Sequence, residues 1–444
     1  MISAEHYFDW AATSPADKNI IQKALECSTE HWANPSSIHA AGTDAKKALE
    51  NARKRAALAL GISEQTVTFT SGGTESDHIA LLSVLTRPQK GSVLVSAIEH
   101  PAIREMAKMI ENCGWKTITV NPDKNGFVSA DAVIAALRDD TAFVTVMAVN
   151  NETGAVQPVY EIADALTEHC RGKRKPMFHV DCVQAAGKIP LDLTHSGIDS
   201  AAFSAHKICG PRGIGILYTA KEFVPFLRGG GQEKNIRSGT ENLFGAEAMS
   251  LCLEKYAISE RNSTAMERYE LQKKYAAAFI EKLASIPSCT MIPHCRTADN
   301  TEHEFSPWVI QASFKGIPGQ VMERALSSEG FYISTGSACS AGRHARPILD
   351  TMQLPAEEKE SAVRFSFGPL TTPQAMDELF EAEPKETENI PEKSDNCSAE
   401  LLGSREQLFK GSADGKSERR YCGIQRCRGR KGLQHRGYVR DDVP

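Results

Sequence analysis

Seven short stretches of this chain carry residue types that could do chemistry, and each follows or sits within an apolar run. In Ser204-Ala205-His206-Lys207, with Gly210, Gly213 and Gly215 beyond it, a lysine stands beside a hydroxyl and an imidazole. Such a lysine suits a Schiff base if burial lowers its pKa; a surface lysine entering a glycine turn is the plainer alternative. In His179-Val180-Asp181-Cys182-Val183-Gln184 a carboxylate arrives at a strand end. It could keep a pyridinium nitrogen protonated and so make the ring an electron sink, or simply cap the next helix. Thr70-Ser71-Gly72-Gly73-Thr74-Glu75-Ser76 opens a helix with small residues, so its N–H groups and dipole could hold an anion. It lacks the Gly-Lys-Ser/Thr ending of a Walker loop. Glu99-His100-Pro101 offers an imidazole that could lie on a cofactor ring and shuttle protons, with a structural histidine as the alternative. In Asn150-Asn151-Glu152-Thr153-Gly154, Asn151 offers an amide to a ring substituent or a carboxylate, or the run is only a turn. Residues 334–342 surround Cys339 with small residues. The composition predicts a flexible, exposed loop whose thiol is a nucleophile able to reach a substrate and swing away. Arg364 alternates with apolar neighbours in Val363-Arg364-Phe365. An inward arginine must be paired, by a substrate carboxylate or by an internal salt bridge.

The elements that must position these groups alternate. Residues 67–70, 92–96, 143–149, 178–181 and 201–204 read as strands, and 74–85 as a helix. That alternation predicts a mostly parallel sheet covered on both faces, with ligands outside the carboxyl ends of its strands. Residues 16–255 form the predicted large domain, and 256–382 a smaller α/β domain opening with a helix over 262–284. Beyond residue 382 the chain turns polar, and residues 416–444 hold nine Lys or Arg against three acidic residues. Such a tail cannot bury enough apolar surface to fold alone; a basic arm for RNA or a partner is the alternative.

Composition sets further limits. The 444 residues are 41% hydrophobic and 24% charged with net charge −5, which implies no general affinity for nucleic acid or membranes. Apolar runs fall short of the roughly 18 residues of a membrane span, and the first six residues do not resemble a signal peptide. The expected location is the cytoplasm. None of the twelve cysteines forms a Cys-x-x-Cys pair, and most read as reduced, buried hydrophobes. Cys422 and Cys427 with His435 are too sparse for a closed zinc site, so no metal is expected.

Taken in order, the anion loop, His, Asn, Asp, Lys, Cys loop and Arg resemble the cysteine desulfurases, among the fold-type I, class V aminotransferase-like enzymes. The resemblance covers residues 7 to about 372. It includes Asn34-Pro35-Ser36-Ser37-Ile38-His39, Gly229-Gly230-Gly231-Gln232-Glu233 and Arg237-Ser238-Gly239-Thr240-Glu241-Asn242. It implies a mostly parallel seven-stranded sheet between helices in a large domain that binds pyridoxal 5'-phosphate (PLP). Residues 1–15 would pack with the small domain, and residues 383–444 stand outside the resemblance as an atypical tail. Lys207 would carry the cofactor, Asp181 would pair with its ring nitrogen, and Gln184 would contact its ring hydroxyl. His100 would stack on the ring and handle protons. Gly73, Thr74, Ser204 and His206 would hold the phosphate, with Thr240 supplied by the neighbouring subunit of a homodimer. Asn151 and Arg364 would fix the cofactor and the carboxylate of an L-cysteine substrate. Cys339 would take the sulfur as a persulfide, leaving alanine. The run Thr335-Gly336-Ser337-Ala338-Cys339 resembles the NifS/IscS-like branch, which implies a sulfur acceptor such as an iron–sulfur scaffold or a tRNA-thiolation enzyme. A selenocysteine lyase or another class V enzyme is the alternative. The sequence departs from the pattern at Gly368-Pro369-Leu370, where a basic residue after the glycine is common, and in its tail.

Overall fold

Strands buried on both faces must be apolar at nearly every position, because parallel sheets are covered by helices above and below. The computed structural model describes residues 4–222, 224–299, 304–336 and 346–382; Cys339 and the tail lie outside them. Seven strands form the main sheet: β1 Val67–Thr70, β2 Ser92–Ser96, β3 Lys116–Val120, β4 Thr141–Thr145, β5 Met177–Asp181, β6 Ser200–Ser204 and β7 Gly215–Thr219. Their order is β1-β7-β6-β5-β4-β2-β3. Only β7 runs against the rest, antiparallel to both β1 and β6.

The two-residue period of a strand divides these side chains between two cores. Val93, Val95 and Phe143 pack with Ile79 and Leu81 of helix Gly73–Leu82 and with Ile103, Ala107 and Ile110 of helix Pro101–Asn112. Leu94, Val144, Phe178 and Val180 face the other way, into a core with helices Val159–His169 and Leu243–Tyr256. The edge strand β3 alone is largely exposed.

A second, antiparallel sheet has the order β10-β9-β8, from β8 Cys289–Ile292, β9 Val309–Phe314 and β10 Ala362–Ser366. Phe279, Phe314, Phe365 and Phe367 form its core with Phe8 from the start of the chain. Phe8 is fixed there by its backbone, donating to Tyr332 O and accepting from Ser366 N. The long helix is Ser263–Ala284, capped by Asn262. Gly368 has no freedom to vary, since a Cβ there would stand 2.1 Å from the Trp10 ring.

Two expected elements differ in extent. The helix expected over 74–85 is an α-helix from Gly73 to Leu82 followed by a 3₁₀ turn. The strand expected over 143–149 ends at Thr145. Its neighbour β2 stops at Ser96, and the amide of Met147 donates instead to the buried Glu99 side chain at 2.8 Å. Among the described residues, no helix is long and apolar enough to cross a membrane.

One buried ion pair pins the segment 229–240 to the main sheet. Arg53 donates through both Nη atoms to Glu233, at 2.7 and 2.8 Å, and lies over the Phe69 ring. Glu233 also accepts from the Phe69 amide. Glu233, Lys234 and Asn235 all hold positive φ, a strained run that persists only where its surroundings dictate it. Glu233→Ala would leave the Arg53 charge buried without this partner. It is expected to cost about 3–5 kcal/mol, read as a lower urea midpoint at unchanged slope; an unmoved midpoint would contradict it.

Candidate active site

The carboxyl ends of β5 and β6 deliver the two central groups. Asp181 is the last residue of β5, and Lys207 closes the 3₁₀ turn that follows β6. Both line one cavity of about 250 Å³, together with Gly73, Thr74, His100, Asn151, Gln184, Ser204, His206 and Arg364. The structure thus gathers these sequence-predicted residues from across the chain. Thr240 is not among them; it is exposed on the segment beyond the Arg53–Glu233 anchor. Cys339 lies outside the described residues.

Burial governs the electrostatics. Desolvation pushes Asp181 up to about 7, helped by the nearby Asp77, although Oδ1 accepts from the Val183 amide at 2.8 Å. Asp77 also lines the cavity and also rises well above its ordinary value through burial. It meets His179 Nε2 at 3.1 Å, while His179 Nδ1 meets Ser200 Oγ at 2.8 Å. Burial pushes His179 down to about 4. Asp77 and His179 therefore both favour their neutral forms, and the close contact joins an acid to an imidazole. Asp181 is left as the carboxyl group that a cation in the cavity would ionise.

His100 combines the structural and the chemical reading. Its Nδ1 accepts from the Ala102 amide at 3.2 Å, capping helix Pro101–Asn112. The neutral ring therefore carries its proton on Nε2. Burial, then Lys207 and Arg104, depress its pKa to about 4. His206, which contacts Thr13 Oγ1 through Nδ1, is likewise pushed down to about 4, by burial first and Lys207 next.

Helix Gly73–Leu82 begins beside the cavity. Its cap, Gly72, gives no side-chain hydrogen bond, so the first-turn N–H groups lack the usual side-chain acceptor. A Cβ on Gly73 would stand 2.6 Å from Val183 Cγ2, so only glycine fits there. Ser204 and His206 line the cavity as well. Amide donors, a hydroxyl and an imidazole together suit a phosphate.

The loop after β4 separates its two asparagines. Asn150 Oδ1 accepts from the amides of Glu152 and Thr153 and so makes the turn. Asn151 faces the cavity, its buried Oδ1 without a hydrogen-bond partner. Arg364, on β10, donates to Asp9 Oδ1 at 2.7 Å and to Asn151 O at 2.8 Å, leaving a buried Nε with no partner. The internal salt bridge and the cavity-lining arginine are thus one residue. Lys207 Nζ is held by the carbonyls of Ala11 and Ala12, at 2.6 and 2.7 Å.

Sequence reading missed Asp77 and the Ala11 and Ala12 carbonyls. Asp77 gives one weak signal, an acid just ahead of the apolar run Ile79-Ala80-Leu81-Leu82 on the same helix. Ala11 and Ala12 give none, because a backbone carbonyl carries no residue signature.

The aminotransferase class-V family model matches residues 6–379. A putative cysteine desulfurase IscS 1 of Bacillus subtilis is 37% identical over 369 residues, 82% of this chain and 93% of that protein. The cysteine desulfurase IscS of Methanosarcina thermophila is 35% identical over 388 residues, 85% of this chain and 91% of that one. A solved NifS-like protein superposes with a TM-score of 0.74 at 30% identity, covering 85% of this chain and 97% of the other.

The raised Asp181 pKa predicts a pH dependence in the cofactor-free protein. Folded Asp181 keeps its proton up to about pH 7, whereas an ordinary aspartate gives it up near 3.8. Between those values the folded state binds more protons, so stability falls as pH rises and levels off above about 7. Asp181→Asn cannot ionise, so its stability relative to the parent should grow through that window. Urea midpoints of the two apoproteins at pH 5 and pH 8 test this; a gap that does not widen would contradict it.

Proposed function

We propose a residue-by-residue mechanism for this chain, which belongs to the aminotransferase class-V family and within it is a PLP-dependent cysteine desulfurase. One observation carries the reading: a lysine amine, a buried carboxyl group and a helix start suited to phosphate face one cavity. The residues fit PLP. Burial first, then Asp77, raises Asp181, and a protonated ring nitrogen beside it would offset both. The partnerless Asn151 Oδ1 and Arg364 Nε mark polar atoms still to be satisfied.

Bound PLP supplies an electron sink that lets an attached amino acid lose its Cα proton and then its sulfur. Lys207 would be the tether, and its amine, when not tethered, would carry a proton to and from the substrate. Gly73, Thr74, Ser204 and His206 hold the phosphate. His206 suits that task as a neutral donor, since its depressed pKa keeps it uncharged. His100 lends its Nε2 proton as a hydrogen-bond donor, because taking a second proton at Nδ1 would cost the helix cap. Arg364 and Asn151 fix the substrate carboxylate. The Cys339 thiol takes the sulfur as a persulfide, and the carbon skeleton leaves as L-alanine.

Thr240 completes the phosphate site of a neighbouring subunit. Its place outside the cavity of its own chain supports this, as do Ile38 and Trp32, 100% and 76% exposed, and the apolar Val224, Phe226 and Leu227. Such exposed apolar groups suit a homodimer interface. The persulfide passes to an iron–sulfur scaffold or a tRNA-thiolation enzyme in the cytoplasm, a compartment in keeping with the buried thiols of Cys182, Cys209 and Cys252.

A single turnover with L-cysteine should add one sulfur to the peptide holding Cys339, read by mass mapping. Cys339→Ala should abolish sulfide release yet keep the visible cofactor band, and Lys207→Ala should lose that band. Sulfur mapped to another residue, or full sulfide release by Cys339→Ala, would overturn the assignment. Ile38→Glu should shift the protein toward monomer in light scattering and weaken cofactor retention; an intact dimer would count against the proposed interface.

A further inference from the structure

Lys188 is a lysine that the mechanism above does not use. It is buried, 5% exposed, and among the described residues no carboxylate pairs with it. Its Nζ donates to Gln184 Oε1 at 2.5 Å, and Trp308 Nε1 donates to its backbone carbonyl at 2.8 Å. Gln184 in turn donates from Nε2 to Ala11 O at 2.8 Å, the same carbonyl that holds Lys207.

These contacts leave the Gln184 amide a single orientation. An ammonium can only donate and a backbone carbonyl can only accept. Turning the amide over would set NH₂ against the ammonium and the amide oxygen against Ala11 O, losing both bonds. The second Nε2 hydrogen is therefore committed as a donor, and Gln184 lines the cavity.

We infer that Lys188 is a positioning residue: through Gln184 it fixes an N–H donor toward the ring oxygen of bound PLP and sets a positive charge behind it. The inference rests on the cofactor reading above. Burying an uncompensated ammonium is costly, and burial, then Lys207 and Arg364, lower this one to about 7. The groups facing it are Lys207 after β6, Arg364 on β10 and the Cys209 thiol, itself pushed up to about 11 by burial. All are cationic or neutral, so an ionised ring oxygen beyond Gln184 is the anion that balances Lys188.

The test is the pH titration of the visible band in the full-length, PLP-loaded protein. A cation near the chromophore disfavours its protonated form. Lys188→Met should therefore raise the titration midpoint by about one pH unit, tenfold in proton affinity. Lys188→Arg, which keeps the charge, should stay close to the parent. In a Gln184→Leu background, Lys188→Met should give a clearly smaller shift, since the oriented donor is already lost and only the charge acting through space remains. Should Lys188→Met fail to fold, Lys188→Gln is read in the same way. A normal band whose midpoint ignores the neutral variants overturns this inference alone. Equal shifts in the Met and Arg variants, or a full shift that persists in the Gln184→Leu background, also overturn it. A parent protein that gives no visible band with PLP overturns the cofactor reading and this inference with it.

Discussion

A carboxyl group buried at the floor of a cavity favours its proton unless a cation comes beside it, and the site is arranged around that constraint. Asp181 stands at the end of a strand buried on both faces, with Asp77 as a second acid beside it. Two neighbouring acids cannot both ionise cheaply in such a place. The fold resolves the conflict by giving Asp77 a neutral partnership with His179 and Ser200. Asp181 is left as the acid whose charge a ligand can switch on. The same burial keeps His100 and His206 neutral, so the cavity wall offers donors and acceptors more readily than fixed charge.

Positioning follows from the sheet. Parallel strands end at one edge, which places Asp181, Lys207 and the Asn150–Asn151 turn within reach of one another despite their separation in sequence. Where β2 stops short, the buried Glu99 side chain, its pKa pushed up by burial, accepts from the Met147 amide and from the Ser96 hydroxyl. The second sheet contributes Arg364 from a buried central position, locked by Asp9 and by the Asn151 carbonyl. An arginine fork held at two nitrogens loses little further freedom when it meets a ligand, which is the value of preorganisation.

Much of this was legible in the sequence for a simple reason. Strand ends are marked by apolar runs that stop, and the chemically useful residues of an α/β sheet sit just past those stops. That rule alone found Asp181 and Lys207, and small residues at a helix start pointed to Gly73 and Thr74. Its weakness shows at β4, where apolar composition continues through Val149 after regular pairing ends at Thr145. What could not be read was pairing across distance. Asp77 with His179 joins residues 102 apart in sequence, and Arg53 with Glu233 joins residues 180 apart. No local spacing encodes either pair. Thr240 shows another limit, since a residue proposed to serve a second copy carries no mark of which copy it serves.

The electrostatics of the cavity and the chemistry of the proposed cofactor are two sides of one balance. On one side lie donors that face the cavity: Lys207 against carbonyl dipoles, Lys188 behind the Gln184 amide, and Arg364, paired with Asp9 but with an unused Nε. On the other lies Asp181, whose ionisation burial and Asp77 oppose. A ligand that is cationic at one ring atom and anionic at its phosphate, its ring oxygen and a substrate carboxylate satisfies both sides at once. Binding then relieves strain that folding built in. A protein that stores such strain is least stable, relative to its loaded form, when the cavity holds only water. By the same logic, neutralising Asp181 stabilises the apoprotein while weakening its grip on the ligand, whereas neutralising Arg364 would also break its Asp9 ion pair. That opposition between apo stability and ligand affinity separates a site residue from an ordinary core residue, whose loss weakens both together.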